Sequence, residues 1–331
     1  MGNFVRNLVL MLHFCAPVSA VFDYSIVFVH LGKAIPPYVQ IAIDQAREFN
    51  PQASMILLAN QEALEKADAC SDGARCIACE SLVKSDDHEA FLAKTALDAH
   101  SRDGFWLYAS ERFLYLADLI AQHELHNVFH LEYDNMLYVD LQELLPIFQK
   151  QYPGIAATFD NDERCIPGFV YIRDSEVMNR LAKFFGDHAG DNLDDMHILA
   201  MFKNETSEAI CDHLPIITKE YVDEYPLVSN FGHVASDRSN YFKNIDVFKS
   251  IFDAAALGQF LGGIDPRNGE SAPGFINERC LFKPSLLKIE WIPDNQNRKI
   301  PYVVYPHARY RINNLHIHSK NLERFKSKEA P

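Results

Sequence analysis

A short apolar run, Asn127-Val-Phe-His-Leu131, stops abruptly at Glu132-Tyr133-Asp134. Its composition predicts a buried strand. In an open α/β sheet, ligands bind beyond the carboxyl ends of the strands. Two carboxylates at such an end therefore constrain both the fold and the place where chemistry belongs. Alternate side chains of an extended segment share a side, so both carboxylates can offer oxygens to one hard divalent cation.

The flanking sequence fits an α/β chain. Residues 26–29 form a β-rich apolar run ending in His30-Leu31-Gly32, Pro36-Pro37 opens a helical stretch reaching Phe49, and residues 54–59 are a second apolar run. That order predicts the β-α-β start of a mixed, mostly parallel sheet flanked by helices. In residues 111–122, Phe113, Leu114, Ala117, Leu119 and Ile120 give a helix one face to pack on the sheet. Further on, 141–151 reads as a helix, 155–159 and 168–172 as strands, and Ser175 as the N-cap of a helix through Phe185. Residues 68–87, rich in Cys, Asp, Ser and Gly, read as a surface excursion. From Tyr221 the pattern is irregular, with loop residues concentrated at Asp265-Pro266-Arg267-Asn268-Gly269.

The 331 residues, 48% of them hydrophobic, suffice for one large α/β domain. A formal charge of −14 argues against nucleic acid as a partner, because tracking phosphates requires a basic stripe. The basic cluster at 320–328 is interrupted by Glu323 and reads as a solvated tail. At the other end, Arg6, the apolar run 8–14 and Val18-Ser19-Ala20 have the layout of a signal peptide. The expected division is a signal over 1–20 and one domain over 21–331, with a nucleotide-binding half (21–150), an acceptor half (151–322) and a tail (323–331). The compartment implied is the lumen of the endoplasmic reticulum or Golgi, or the exterior. An uncleaved N-terminus would instead anchor the chain, and peripheral membrane association is the further partner expectation. Of seven cysteines, Cys15 would leave with the signal and six remain for one or two disulfides. Cys76-x-x-Cys79 has no matching second pair and is a poor zinc site.

Near the C-terminus, His316-Ile-His318-Ser-Lys320 sets two imidazoles on one side of an extended run, with a lysine two residues on. Imidazole suits Mn2+, and an ammonium neutralises a phosphate.

Taken in order, the opening Ile-Val-Phe-Val run, Arg112 ahead of the acidic motif, Glu132-x-Asp134, Asp194-Asp195-Met196-His197 followed by Leu214-Pro215, and the closing His-x-His-x-Lys resemble the nucleotide-sugar glycosyltransferases of the GT-A fold. The likeness to glycogenin-like transferases is distant. The resemblance implies Mn2+ or Mg2+ as cofactor, a nucleotide-diphospho-sugar donor, and a glycan or glycoprotein acceptor. It makes Glu132 and Asp134 metal ligands, with His316 or His318 as the third. Lys320 would hold the leaving diphosphate and Arg112 the donor sugar or the acidic motif. Asp195 or Asp194 would reach the reacting carbon, and His30 to Gly32 would line the nucleotide. Asp253 and Gln259, with Asp265 and Arg267, are the acceptor-side candidates, and Asp253 or Asp195 is the candidate base.

The chain departs from the glycogenin-like pattern in opening its acidic motif with Glu, in lacking that family's Gly and Pro-Trp around the lysine, and in the segment 252–263. Two other readings compete. A metal-dependent hydrolase using Glu132, Asp134, His316 and His318 would turn over without an acceptor. A secreted carbohydrate-binding or adhesion protein would bind sugar without Asp134.

Overall fold

The computed structural model describes residues 23–66 and 73–328. The expected signal segment, Cys15, Cys70 and the last three residues lie outside them. The chain begins β1 (Ser25–His30), α1 (Tyr38–Phe49), β2 (Ser54–Ala59), α2 (Gln61–Glu65), β3 (Arg75–Ala78), α3 (Asp86–Lys94), α4 (Phe105–Gln122), β4 (Val128–Leu131), β5 (Asn135–Leu137) and α5 (Leu141–Gln151). It continues β6 (Ile155–Asn161), β7 (Arg164–Ile172), α6 (Ser175–Asp187), α7 (Asp195–Glu205), β8 (Cys211–His213), α8 (Lys219–Glu224), α9 (Ile245–Phe248), β9 (Ser250–Ile251) and α10 (Ala256–Gly262). It closes with β10 (Ile289–Pro293), β11 (Lys299–Val304), β12 (Arg309–Ile312) and β13 (Asn314–His316).

Seven strands make the central sheet in the order β3-β2-β1-β4-β7-β6-β8. β7 pairs antiparallel with both β4 and β6, and the other pairings are parallel, so the sheet is mixed and mostly parallel as the sequence predicts. Parallel strands covered on both faces need apolar side chains pointing both ways. β1 supplies them: Ile26 and Phe28 enter the core under α1 and α5, while Val27 and Val29 enter the core under α4 and α6. Each such fully buried side chain contributes about 1.5–3 kcal/mol.

Three expectations change. The surface excursion contains β3, which extends the sheet beside β2, and the first turn of α3. The cap of α6 is Asp174, whose Oδ1 accepts from the Val177 amide at 3.2 Å, and Ser175 is the first helical residue. The irregular C-terminal part holds a four-stranded sheet, β10-β11-β12-β9, and the pair β13-β5. Cys76 is in a disulfide, whereas Cys79, Cys165, Cys211 and Cys280 are free and buried. Among the described residues no helix is long and apolar enough to cross a membrane.

The pair β13-β5 joins the C-terminal segment to the chain just beyond β4. β4 ends at Leu131 because the next residues leave the sheet, and β5 then takes β13 as an antiparallel partner, setting His316 opposite Asn135.

Candidate functional site

The turn between β4 and β5 carries the acidic motif. The Glu132 amide donates to the Gly168 carbonyl at 3.0 Å, and the Asn135 amide donates to the Glu132 carbonyl at 2.9 Å, which folds the motif back on itself. The Asp134 carbonyl accepts from the Ile317 amide at 2.8 Å, so the strand pairing continues past β13 and brings the chain's two ends of the site together. His316 Nε2 lies 3.2 Å from Glu132 Oε2 and 3.1 Å from Asp134 Oδ2. Ligand atoms of these three residues all fall within 4.8 Å of one another. Lys320, at a left-handed φ of 65°, pairs its Nζ with Asp134.

The two histidine rings stay neighbours, 6.3 Å apart between centroids, but they take different partners. β13 ends at His316, and the His318 amide donates to the His316 carbonyl at 3.0 Å, a tight turn that breaks the extended run. His318 Nδ1 instead accepts from the Asp265 amide at 3.0 Å. Burial, followed by Lys320 and His316, lowers its imidazole to about 4. His316 thus joins the carboxylates, and His318 ties down the loop beginning at Asp265.

Arg112, on α4, spans two carboxylates. One end pairs with Glu132, and Nη2 lies 2.7 Å from Asp195 Oδ2. Its guanidinium also covers the Phe113 ring, 5.0 Å from the centroid. The neighbouring acids divide their roles. Asp194 caps α7, accepting from the His197 amide at 3.1 Å and pairing with His197 Nδ1 at 2.6 Å. Asp195, 3% exposed, turns inward to Arg112.

Charge is balanced within this cluster. Burial pushes the Glu132 carboxyl up, but Arg112 and then His316 bring it below its ordinary value. Burial likewise opposes ionisation of Asp134, and His316 and Lys320 hold it well below the usual carboxylate range. His316 responds in kind: burial lowers it, and Asp134 and Glu132 raise it further than burial takes away. At Asp195 burial wins over Arg112, and its carboxyl is pushed up to about 6.

Two carboxylates and an imidazole fit Mn2+ or a similar divalent cation, since oxygen donors suit hard ions and imidazole suits the borderline ones. One detail departs from common practice. A ligating histidine usually donates its other ring N–H to a carboxylate or carbonyl, yet Nδ1 of His316 is buried with no hydrogen-bond partner.

His30, at the end of β1, is buried and meets Tyr133 edge-on at 5.3 Å between ring centroids; Tyr133 in turn lies 5.9 Å from Tyr38. The Gly32 amide donates to Asn60 Oδ1 at 2.8 Å. Arg267 pairs with Asp265 at 2.6 Å, and both are close enough to perturb Tyr38. Gln259 accepts from Asn277 Nδ2 at 3.4 Å. Asp253 does not present its carboxylate outward: it is 1% exposed, and Leu257, Gly258 and His316 donate their amides to its oxygens at 2.9, 2.8 and 3.0 Å. The sequence-based role of Asp253 as acceptor-side group or base is thereby corrected, because backbone amides occupy both oxygens.

Three residues were missed by sequence reasoning. Asn135 donates from Nδ2 to the Gly168 carbonyl at 2.8 Å and accepts from Asn314 Nδ2 at 2.7 Å, joining β5, β7 and β13. Gly168 leaves the space His316 fills; a Cβ there would lie 2.6 Å from His316 Nδ1. An isolated Gly inside the strand-like run Ile166-Pro-Gly-Phe-Val170 was the available signal, since it marks a close approach. Tyr38 carried none. Two open clefts, about 360 Å3 beside Asp237 and Lys243 and about 740 Å3 beside Trp291 and Arg324, share no residue with this cluster.

No family model and no curated protein matches this sequence. The chain is similar in structure to mouse xyloside xylosyltransferase 1 in its apo form, at 12% identity over 60% of this chain and 89% of that one, with a TM-score of 0.42. It is also similar to the galactosyltransferase LgtC in complex with donor and acceptor sugar analogues, at 15% identity over 60% of this chain and 77% of that one, TM-score 0.40. A cytidylyltransferase from Leptospira borgpetersenii is similar at 10% identity over 73% of this chain and 90% of that one, TM-score 0.39.

Proposed function

We propose that this chain is a metal-dependent glycosyltransferase that moves a sugar from a nucleoside-diphosphate donor to a hydroxyl of a glycan or glycoprotein. The observation carrying this reading is the convergence of Glu132, Asp134 and His316, with Arg112 joining Glu132 to Asp195. Glu132, Asp134 and His316 would hold the divalent cation, which supplies Lewis-acid stabilisation of the departing diphosphate.

The remaining residues have work of their own. Lys320 releases Asp134 and neutralises a phosphate oxygen, an electrostatic contribution aimed where negative charge develops. Arg112 keeps Glu132 oriented and holds Asp195 against the sugar. His30, Gly32, Tyr38 and Tyr133 line the nucleotide. The acceptor oxygen bonds to the anomeric carbon as the bond from that carbon to the diphosphate oxygen breaks, its electron pair leaving with the diphosphate. The hydroxyl proton passes to a carboxylate, Asp195 being the one this cluster offers, or to the departing phosphate oxygen.

A panel of nucleotide sugars, tested for binding and hydrolysis with and without Mn2+ on the wild type and Asp134→Ala, tests the reading. One donor bound and turned over only with Mn2+, and lost in the variant, is expected. Turnover of non-nucleotide substrates by water alone would favour a hydrolase, and sugar binding indifferent to Asp134 would favour a binding protein.

A further inference from the structure

We infer that Asp253 is a positioning residue that aims the His316 imidazole at the cation by gripping its backbone; this rests on the metal-dependent reading above. Three observations converge. First, the usual means of orienting a ligating histidine is missing, because His316 Nδ1 has no hydrogen-bond partner. Orientation must then come from the backbone and from packing.

Second, the backbone is held by Asp253. Its Oδ2 accepts from the His316 amide at 3.0 Å and from the Gly258 amide at 2.8 Å, and its Oδ1 accepts from the Leu257 amide at 2.9 Å. One buried carboxylate thus bolts the start of α10 to the end of β13. A carboxylate accepting from several amides makes charge-assisted bonds, roughly twice as strong as neutral ones. The Asp253 amide completes the clamp by donating to Asn314 Oδ1 at 3.2 Å, two residues before His316 on the same strand.

Third, the clamp closes on a space cut to fit. A Cβ at Gly258 would collide with the His316 carbonyl oxygen, and one at Gly168 would lie 2.6 Å from its Nδ1. The imidazole is therefore bounded by β7 on one side while α10 presses on its main chain from the other. Loss of the Asp253 bond loosens the main chain that carries His316, leaving its aim to the β13-β5 pairing and the carboxylates at Nε2, with no polar group at Nδ1 to add to them.

The test is Mn2+ affinity of the full chain, measured by calorimetry and by the electron paramagnetic resonance spectrum of bound Mn2+, on the wild type and on Asp253→Asn. Melting temperatures are recorded without metal. Asn keeps one acceptor oxygen but turns an NH2 group toward a backbone amide. Removing such an outer partner weakens metal binding by about 10–100-fold, and that loss, with an altered spectrum in a folded protein, is expected. If Asp253→Asn fails to fold, Asp253→Ser takes its place, since a hydroxyl still accepts from one amide of α10 and cannot also span to His316. A folded variant binding Mn2+ within about twofold of wild type, with only its melting temperature lowered, overturns the inference and leaves the transferase reading standing. A wild type that binds no Mn2+ overturns both.

Discussion

Arg112 shows how much rests on one side chain. It lies between Glu132 and Asp195, two carboxylates with little access to water, and burial already carries Asp195 to about 6 despite the guanidinium beside it. Arg112→Met leaves both acids without their shared counter-ion, and breaking a buried ionic network by removing one partner costs about 3–5 kcal/mol. Urea unfolding at neutral pH measures this. A loss under about 0.5 kcal/mol, the range of an ordinary surface change, would reduce Arg112 to an incidental pairing. Arg112→Lys keeps the charge but not the two-ended fork, so intermediate stability is expected. The same scale separates Asp194 from Asp195: adjacent acids in sequence, one caps a helix and the other faces the site.

Among the elements, β7 limits the site. Its Gly168 carbonyl takes the Glu132 amide and Asn135 Nδ2, and its missing side chain admits His316. Gly168→Ala forces a Cβ to 2.5 Å from Asn135 Nδ2 and 2.6 Å from His316 Nδ1. Overpacking of this kind costs about 1–3 kcal/mol, and the variant is expected to lose Mn2+ affinity as well as stability. Calorimetry alongside denaturant unfolding checks both; full stability with unchanged affinity would mean that β7 yields easily.

The elements also show what the sequence could convey. The strands β1, β2 and β4 and the helices α1 and α5 were legible from apolar runs and periodicity, because those signals are local. The carboxylates were legible because a polar pair interrupts an apolar run at Leu131. His316 and Lys320 were visible as residue types, but which of the two histidines meets the carboxylates depends on pairing with β5 and the clamp at Asp253, both remote in sequence. Asp253 looked catalytic for the same reason: nothing local tells a carboxylate that faces solvent from one consumed by amides. β3 was hidden because Arg75-Cys-Ile-Ala78 is only four residues long and sits between polar flanks.

For the whole molecule, α4 links the site to a second buried charge cluster, because Glu111, next to Arg112, faces His88 of α3. His88, fully buried, has Nδ1 2.6 Å from Asp118 Oδ2 and Nε2 3.4 Å from Glu111 Oε1; Lys84 is 3.9 Å from Glu111, and the Tyr115 ring lies edge-on at 4.5 Å. Burial lowers the His88 imidazole, but Asp118 and then Glu111 raise it above its ordinary 6.5. A histidine that binds its proton more tightly when folded contributes stability fully present below 6.5, which is lost as pH rises through the higher folded value. Unfolding free energy is therefore expected to fall as pH climbs above 6.5. His88→Gln should cost about 1.5–3 kcal/mol at pH 6, the worth of hydrogen bonds to charged groups, and flatten that decline. Equal slopes in variant and wild type would assign the pH dependence elsewhere.

Lys320 and Asp134 meet across 186 residues of chain. At a synthesis rate of about 5–20 residues per second, roughly 10–40 s separate their appearance from the ribosome. Throughout that interval the nascent polypeptide carries an anionic notch with neither its imidazole nor its ammonium, so competence is a property gained late, after most of the central sheet has already been made.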